Sequence, residues 1–577
     1  MAAQGLRASV AGLAGLPQGP AGPIPDLAAA VVIGAGFGLL FRYQPLAYAA
    51  TISSGVLYGL LWWIVGPLTL APLLAGRGPT WALAEAGAAQ PSLVGHIIFG
   101  ALIGLTFYVI VTAYLRRRPE PAPLAVASPP STRIVILGGG FGGVSAAQRL
   151  EHLLSRRPAV SLALVSHSNY LLFTPMLAEV AGSGLEAQHI SAPVRAALPH
   201  TRFLRGTVEA IDAAARTVTV RESASGAAEV LRYDHLILAL GAVPNFYGLG
   251  GMAEHAFTLK TLDDATRLRN HVIALLEAAD VEPDASRRRA MLTFVVAGGG
   301  FAGTEMIAEL FDLVHGVLRY YPHVEPEETR FVLVHSGGRI LPEISPALAD
   351  YAQRRLAARG IEFFLNTRVG GAVADAVRLA GAGELATRTL VWTAGNQPHP
   401  LLATLPCDRN RSGAVIADET LRVGGLDGVW AVGDCAEIPD LNNAGRPCPP
   451  TAQHALREGQ VAAENIVAAL RGAPPRAFRF RTIGTLVALG HRTAVAEIRG
   501  WKFSGFLAWV MWRTVYLSKL PGLEKKVRVA LDWTIDLFFP RDIVLTGSIP
   551  TPTLAQTLGT RPDPALPVGG RGQEAGS

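Results

Sequence analysis

Two segments of the chain each join an apolar run to closely spaced glycines and then to a helix-forming stretch. They are RIVILGGGFGGVSAAQRL (133–150) and LTFVVAGGGFAGTEMIAEL (292–310). In a dinucleotide-binding βαβ unit, the first glycine permits a tight turn, the second admits a pyrophosphate, and the third lets the helix pack on the strand. The sequence therefore predicts an α/β fold with two Rossmann-like domains. The glycines that complete the GxGxxG spacing are Gly138, Gly140 and Gly143, and then Gly298, Gly300 and Gly303.

A third segment, VVIGAGFGLL (31–40), resembles these two but does not complete the spacing. Gly34 and Gly36 fit, whereas Leu39 stands at the third glycine position and Gly38 falls one residue early. No α/β pattern comes after it. Alternate glycines in an apolar run also suit close helix packing in a bilayer, so we predict a membrane helix here.

The first 118 residues contain long stretches without charge. Residues 27–41, 46–76 and 97–115 carry no charged side chain, and Arg116–Arg118 come directly after the last of them. Stretches of this length can cross a bilayer, and basic residues mark cytoplasmic ends. We expect about three transmembrane helices, a multi-pass anchor, and the rest of the chain at the cytoplasmic face of the cell membrane. The alternative is a buried helical domain of a soluble protein.

Composition supports membrane contact and excludes some partners. Half of the residues are hydrophobic, 17% are charged, and the mean hydropathy is +0.31. A net charge of +6 suits anionic lipid or cofactors, but is too mild to indicate nucleic acid. The three cysteines, Cys407, Cys435 and Cys448, have neither metal-ligand nor disulfide-framework spacing, so we expect no metal.

The nucleotide expected at each turn depends on the end of the next strand, where a carboxylate usually holds a ribose. Ser166 and His335 occupy these two positions. Without a carboxylate, the second site does not repel a 2′-phosphate, and Arg339 lies nearby in the sequence. NADH and NADPH therefore both remain open as the nucleotide. The strand that ends in Gly433–Asp434 supplies an acid able to accept hydrogen bonds from a ribityl chain.

The remaining organisation is inferred from changes in composition. The segment after residue 500 mixes Trp and Phe with Lys and Arg, which is typical of helices lying in a membrane interface. Packing of those helices on the enzyme's own core is the alternative. The predicted organisation is a flexible N-terminus (1–25), a transmembrane domain (26–118), a Pro-rich linker (119–131), an FAD domain in two parts (132–258 and 386–480), an NAD(P) domain (259–385), a C-terminal membrane-associated region (481–547) and a flexible tail (548–577).

Three further segments narrow the choice of family: 169–195, 233–265 and PTAQHALREGQVAAENI (450–466). With the two glycine turns, they make the chain resemble type II NADH dehydrogenases of the two-dinucleotide-binding flavoprotein superfamily. The resemblance implies FAD at the first turn, a nicotinamide nucleotide at the second, and a quinone at the 450–466 helix, where Arg457 replaces a family glutamine. It assigns FAD to Gly138, Gly140, Phe141, Gly143, Ser166, Gly241, Gly433 and Asp434, NAD(P) to Gly298, Gly300, Gly303 and His335, catalysis to Glu305 and Gln453, and quinone to Ala452, Gln453 and Arg457.

The implied reaction passes a hydride from NAD(P)H to FAD and two electrons to a membrane quinone without pumping protons. Membrane lipid and quinone are the expected partners, and a homodimer is possible. Three alternatives stay open: a sulfide:quinone reductase, a reductase for a soluble acceptor, and a flavin redox sensor carried by a membrane module. The sulfide chemistry needs a cysteine pair at the flavin, and no cysteine precedes Cys407.

Overall fold

The computed structural model describes residues 31, 33–38, 48–76, 78, 90–117, 132–154 and 159–545. The chain divides into two compact units, Met1–Pro130 and Ser131–Ser577. We call them the N-terminal unit and the main unit.

The N-terminal unit is helical throughout its described secondary structure. Residues 33–38 form helix and not the strand and turn of a nucleotide loop. Two segments of 23 residues, Thr51–Leu73 and Ser92–Tyr114, are long and apolar enough to cross a membrane, with mean hydropathy 1.6 and 2.2. The predicted first span, 27–41, lies largely outside the described residues. The helices are α1 (Tyr48–Val65), a wider helical turn (Gly66–Leu70), α2 (Ala71–Leu74) and α3 (Gln90–Arg117).

Glycines bring α1 and α3 into backbone contact. A Cβ on Gly55 would lie 2.2 Å from the carbonyl oxygen of Gly100, and one on Gly59 would lie 2.1 Å from that of His96. Gly104 is similarly close to the Thr51 carbonyl, at 2.5 Å. Small residues four apart on both helices thus allow an approach that any side chain would prevent. In the segment 31–40, for which the sequence predicts such packing, a Cβ on Gly36 would lie 2.8 Å from the Tyr58 hydroxyl oxygen, whereas one on Gly34 would have no atom within 4 Å.

The main unit is built on two parallel sheets. The first has the strand order β20-β8-β1-β2-β5-β6-β7, of which β5, β6 and β7 form an antiparallel extension. Its central strands read as continuous apolar runs because helices and loops cover both faces. The strands are β1 (Thr132–Leu137), β2 (Val160–Ser166), β5 (Arg202–Asp212), β6 (Thr217–Glu222), β7 (Ala228–Arg232), β8 (His235–Leu238) and β20 (Val429–Ala431).

The second sheet has the order β10-β17-β11-β12-β13 and is parallel throughout. Two of its strands, β10 (Ala256–Thr258) and β17 (Thr389–Trp392), lie just outside the predicted NAD(P) domain, 259–385. The chain therefore crosses between the two sheets slightly outside those boundaries. The strands are β10 (Ala256–Thr258), β11 (Thr293–Ala297), β12 (Arg330–Val334), β13 (Ile361–Phe364) and β17 (Thr389–Trp392).

Helices and short strands complete the main unit. The longer helices are α4 (Phe141–Leu154), α8 (Leu262–Val281), α9 (Ala285–Met291), α10 (Phe301–Val317), α11 (Pro346–Ala357), α12 (Ala452–Ala469), α13 (Phe506–Lys519) and α14 (Leu523–Ile535), and the short ones are α5 (Leu177–Ala181), α6 (Val194–Ala197) and α7 (Met252–His255). The small sheets contain β3 (Tyr170–Leu172), β4 (Ser191–Pro193), β9 (Ala242–Pro244), β14 (Val369–Val373), β15 (Ala376–Leu379), β16 (Gly383–Ala386), β18 (Asn396–Pro398), β19 (Val415–Ile416), β21 (Ala436–Glu437), β22 (Gly484–Ala488), β23 (Ala494–Ile498) and β24 (Trp501–Gly505).

The C-terminal module, residues 484–545, comprises the antiparallel sheet β22-β23-β24, then α13 and α14, and the segment that follows α14. Helix α13 buries Ala508 and Trp512 against the core and exposes Phe506 and Leu507. The predicted packing on the enzyme's own core is therefore present on one face, and membrane docking by the exposed face stays a prediction.

Candidate active site

The first glycine turn connects β1 to α4 and has the geometry that a dinucleotide requires. Gly138 has a φ of +116°, and a Cβ on it would lie 2.1 Å from the carbonyl oxygen of Ala239. A Cβ on Gly143 would lie 1.9 Å from the Gly138 carbonyl. Gly140, by contrast, has no atom within 4 Å of its Cβ position. The turn is therefore closed on the protein side and open where a pyrophosphate would approach the start of α4.

Three other residues assigned to FAD lie around this turn or at the ends of nearby strands. Phe141 is the first residue of α4. Ser166 ends β2, and its Oγ would lie 2.6 Å from a Cβ on Gly139, so the hydroxyl faces the glycine turn. Gly241 comes after β8 with a φ of +68° and open space beside it. The residues present therefore fit a dinucleotide.

Asp434 lies in a partly buried group of polar residues, of which the sequence analysis identified only some. Gly433 has a φ of +73° and donates its N–H to a carboxylate oxygen of Glu458 at 2.7 Å. Burial raises the pKa of Asp434, and the nearby ammonium of Lys260 opposes that rise. Burial also raises the pKa of Glu458 to about 7. Lys260 and Glu458 were missed as site residues, because only the fold brings the 260 segment and α12 to this turn.

The second glycine turn repeats the geometry of the first. Gly298 has a φ of +118°, and a Cβ on Gly303 would lie 1.8 Å from the Gly298 carbonyl oxygen. The space beside Gly300 is partly open, with a carboxylate oxygen of Glu343 at 3.4 Å from the Cβ position. This turn, too, can admit a pyrophosphate at the start of its helix, α10.

His335 comes directly after β12 and faces this second turn. The Gly299 N–H donates to His335 Nδ1 at 3.1 Å. Burial lowers the pKa of His335, so the ring is neutral and carries its proton on Nε2. The guanidinium of Arg339, in contrast, donates to the carbonyl oxygens of Pro342 and Ile344, at 3.1 and 3.4 Å. At the ribose position the chain thus offers a hydrogen-bond donor in place of the usual acceptor.

Strand β22 connects the two residues assigned to catalysis. The Gln453 Nε2 donates to the Gly484 carbonyl at 3.2 Å, and the Ala488 N–H donates to Glu305 Oε1 at 3.0 Å. Gly484 and Ala488 are the first and last residues of that strand, which separates them by about 13 Å. The C-terminal module therefore holds Glu305 and Gln453 at the two ends of one short strand.

The raised pKa of Glu305 and the unsatisfied oxygen of Gln453 each suit a substrate that takes up protons. Burial raises the pKa of Glu305 to about 8, with the Glu309 carboxylate adding to the rise. The Oε1 of Gln453 is buried and has no hydrogen-bond partner in the part of the chain that the structure describes. A substrate oxygen that carries a proton would satisfy it.

Arg457 lies one helical turn after Gln453 on α12. Its Nη1 donates to the Gln453 carbonyl oxygen at 2.8 Å, and its guanidinium stacks 4.0 Å from the ring centroid of Phe480. It does not pair with Glu458, whose carboxylate accepts the Gly433 N–H. Ala452 begins α12, and the side chain of its cap residue, Thr451, accepts from the N–H of His454, three residues further on. The structure thus brings the predicted quinone residues together on one helix end.

An aromatic chain leads from the first glycine turn to α13. Phe141 contacts Phe173, and Phe173 contacts Tyr516, each edge to face with centroids 6.0 Å apart. Burial and the Glu305 carboxylate raise the pKa of Tyr516. Sequence reasoning missed Tyr516, since nothing local distinguishes it from the other aromatic residues of this helix.

The cysteines do not form the pair that sulfide chemistry needs. All three are free thiols, and Cys435 is buried with its thiol directed at the carbonyl oxygens of Leu238 and Val432. Within the described residues, no group of three His, Cys, Asp or Glu side chains is arranged to hold a metal ion.

Two family models match the main unit. The pyridine nucleotide-disulphide oxidoreductase family matches residues 132–459, which is more than half of the chain, and the NDH2 C-terminal domain matches residues 483–542. The first range contains both glycine turns and the start of α12, and the second contains β22, α13 and α14.

Individual proteins give the same picture. Type II NADH:quinone oxidoreductase Ndh of Mycobacterium tuberculosis is 30% identical over 444 residues, covering 74% of this chain and 92% of that protein. Demethylphylloquinone reductase NdbB of Synechocystis is 30% identical over 407 residues, covering 70% of this chain and 95% of its own. The structure of NDH2 from Plasmodium falciparum in complex with NADH superposes with a TM-score of 0.66 at 19% identity, covering 72% of this chain and 99% of that one.

Proposed function

The chain belongs to the type II NADH dehydrogenases within the pyridine nucleotide-disulphide oxidoreductase family, and from that premise we propose that it oxidises NADH and reduces a membrane quinone, with FAD as its cofactor. The observation that carries the proposal is strand β22, which holds Glu305 at one end and Gln453 at the other. This contact joins the helix after the nucleotide turn to the helix assigned to quinone.

The first glycine turn, Phe141, Ser166, Gly241 and Asp434 would hold FAD. When bound, this group accepts a hydride from NADH and passes two electrons to the quinone. The open side of Gly140 would admit the pyrophosphate, and the half-buried Asp434 carboxylate would accept from the ribityl hydroxyls. Glu458 fixes the turn before Asp434 by accepting the Gly433 N–H.

The second glycine turn would hold NADH, with Gly298, Gly300 and Gly303 around its pyrophosphate. His335 faces the ribose position with an Nε2–H donor, because its Nδ1 already accepts from Gly299. A donor is compatible with a 2′-hydroxyl and also with a 2′-phosphate. We therefore expect NADH to be oxidised, with weaker discrimination against NADPH than a carboxylate at this position would give.

Glu305 and Gln453 would act at the quinone. A protonated Glu305 can donate to one quinone oxygen, and the Gln453 Oε1, which has no partner among the described residues, can accept from the hydroxyl on the opposite side of the quinol. Arg457 holds the end of α12 through the Gln453 carbonyl and Phe480, and so positions the glutamine.

Membrane attachment would use both ends of the described chain. In the N-terminal unit, the candidate spans expose apolar side chains such as Leu61, Ile98 and Ile110, which suits a multi-pass anchor in lipid. In the C-terminal module, a patch of exposed apolar residues suits docking at the interface. The patch consists of Trp501, Phe506, Leu507, Val510, Leu531, Ile535, Phe538 and Phe539.

Flotation with vesicles tests the C-terminal attachment, with the N-terminal anchor released by a protease site engineered in 119–131. Released wild-type main unit should float with the vesicles, and F538S/F539S should reduce the bound fraction several-fold. Equal flotation of both would exclude the patch as a docking surface. A homodimer stays a prediction, and sedimentation in detergent measures it.

Steady-state turnover in detergent tests the activity itself. We expect NADH to reduce a short-chain quinone, and Q453L to raise the quinone KM about tenfold while the KM for NADH is unchanged. Turnover with a soluble iron–sulfur protein but not with quinone would refute the proposal. A parallel series with NADPH measures the discrimination at His335.

A further inference from the structure

Quinone reduction by NADH consumes a proton from solvent. NADH supplies two electrons and one proton as hydride, and the quinol product carries two protons, so NADH, one solvent proton and quinone give NAD⁺ and quinol. The Glu305 carboxyl that would protonate the quinone belongs to a half-buried residue, and it must regain a proton after each turnover. The need for a proton supply to Glu305 follows only if the protein is the quinone reductase proposed above.

Helix α10 carries acidic residues at positions that share one face. Glu305, Glu309 and Asp312 are spaced four and three residues apart, which places them in a line along the helix. Glu309 is only 5% exposed, and the Glu305 and Glu309 carboxyl groups are close enough to repel each other. The line starts at Glu305 and runs away from the glycine turn.

A cavity of about 680 Å³ lies along this face. Its floor includes the buried Glu179, Glu309 and Trp512, and its rim includes the exposed His491. The lining also includes Ala488, whose N–H binds Glu305. The cavity thus reaches from solvent to the immediate neighbours of Glu305, and it has the volume and the polar lining to hold several water molecules.

Glu309 and Glu179 are held in place by the C-terminal module. Arg541 Nη2 lies 2.9 Å from Glu309 Oε2, and the Trp533 indole donates to Glu179 Oε1 at 3.1 Å. Glu179 Oε2 is buried and has no hydrogen-bond partner among the described residues. Glu309 Oε2 and Glu179 Oε1 are therefore held by the protein, whereas Glu179 Oε2 is available to a proton or a water molecule.

One acid of the cavity lining forms no ion pair among the described residues. Arg541 approaches Asp536 at 3.5 Å, Arg513 approaches Asp536 at 4.0 Å, and Arg359 pairs with Asp312. Arg541 also pairs with Glu309, whereas Glu179 has no cation within 4.0 Å in the part of the chain that the structure describes. The groups that face Glu309 are Glu305 and Asp312 on its own helix, Glu179 on α5, Arg513 on α13, and Asp536 and Arg541 after α14.

We propose that Glu309, together with Glu179, takes protons from water in this cavity and passes them to Glu305. In each turnover, Glu305 gives its carboxyl proton to the quinone oxygen and becomes a carboxylate. Glu309 then transfers a proton to it, and Glu309 regains one from the cavity. No electron moves in these steps, and solvent is the only proton source.

The acid–base properties of the pair agree with this role. Burial raises the pKa of Glu179 well above its ordinary value and that of Glu309 above its own, and each carboxylate disfavours ionisation of its neighbours. Arg541 opposes the rise at Glu309, which keeps that group able to release a proton. Glu305 and Glu309 thus both hold a proton more tightly than an exposed glutamate, and each can pass one to the other.

The test compares two electron acceptors in E309Q, which keeps the shape of the side chain and removes the exchangeable proton. Ferricyanide takes electrons without protons, whereas a quinone requires them. We expect the quinone rate to fall about tenfold with a solvent isotope effect of about two or more, while the ferricyanide rate stays within twofold of wild type. E309D should restore part of the quinone rate. E362Q is the matched control, since Glu362 pairs with Arg330 elsewhere in the same domain.

A second readout does not depend on turnover. Infrared difference spectra on dithionite reduction should contain protonated-carboxyl bands that E309Q and E179Q each alter and E362Q does not. An E309Q protein with an unchanged quinone rate, isotope effect and infrared bands would overturn the relay. Equal loss of both acceptor rates would overturn it too, because it would indicate a structural role. A wild-type protein that reduces ferricyanide but no quinone would instead refute the proposed function.

Discussion

At the scale of the residue, Glu305 is the group whose chemistry depends most on its surroundings. An exposed glutamate is ionised at neutral pH, whereas burial here raises the pKa to about 8. The acid form is therefore the resting form. Because the folded-state pKa is raised, the stability contributed by this group is complete below its ordinary pKa of 4.5 and is lost as the pH rises through about 8.

The same shift predicts the pH dependence of the reaction. Quinone reduction should decline about tenfold per pH unit above pH 8, since only protonated Glu305 can donate. In E305Q we expect a lower quinone rate, by about 100-fold, and no alkaline limb of that origin. Rates measured on both sides of the Glu305 pKa check this, with ferricyanide as the acceptor that needs no proton. An E305Q profile parallel to that of wild type would contradict the assignment.

Asp434 supplies a second prediction at this scale. A hydrogen bond to a carboxylate contributes about 1.5–3 kcal/mol, so D434A should weaken FAD binding about 10- to 150-fold. The flavin retained after dialysis, measured by absorbance, gives the effect. D427A is the control, because Asp427 has a side chain that is 90% exposed and pairs with Arg216. Equal retention in both variants would remove Asp434 from the FAD site.

At the scale of the element, features set by a local sequence pattern could be predicted, whereas features set by tertiary contacts could not. The two glycine turns were predictable because each is a contiguous strand–turn–helix whose sterics fix the residues. The contact of Glu305 with Ala488 was not, since 183 positions separate them and only the packing of β22 on α10 brings them together. Lys260, Glu458 and Tyr516 were not predicted as site residues for the same reason. No sequence spacing places a crossover residue or a C-terminal tyrosine beside a particular carboxylate.

The close contact between α1 and α3 predicts that a larger side chain at Gly55 will loosen α1. In G55L the new side chain would meet the Gly100 carbonyl, and the two helices must separate, at a cost of about 1–3 kcal/mol. Hydrogen exchange of the 48–65 peptide in detergent should accelerate about tenfold. G34L is the matched control, because the Cβ position of Gly34 has no atom within 4 Å. Equal acceleration in both would show that close packing at Gly55 is not what protects α1.

At the scale of the whole molecule, the C-terminal module links parts of the chain that bind different reactants. Arg541 donates to the carbonyl oxygens of Gly182 and Glu309, at 2.6 and 3.2 Å, and so ties together the segments assigned to FAD and to NAD(P). The same module contributes β22 to the Glu305–Gln453 contact. The family match at 483–542 therefore covers the strand that contacts both residues assigned to catalysis, as well as the residues proposed to face the membrane.

Electron transfer from NADH through FAD to a quinone within this one chain is the step on which every other proposal depends. Anaerobic mixing of the purified protein with one equivalent of NADH, and then with a short-chain quinone, tests it by the flavin absorbance alone. We expect NADH to bleach the flavin band and the quinone to restore it, with recovery slowed in Q453L and bleaching unchanged. A flavin that NADH fails to bleach, or one that stays bleached after the quinone is added, would contradict this electron path.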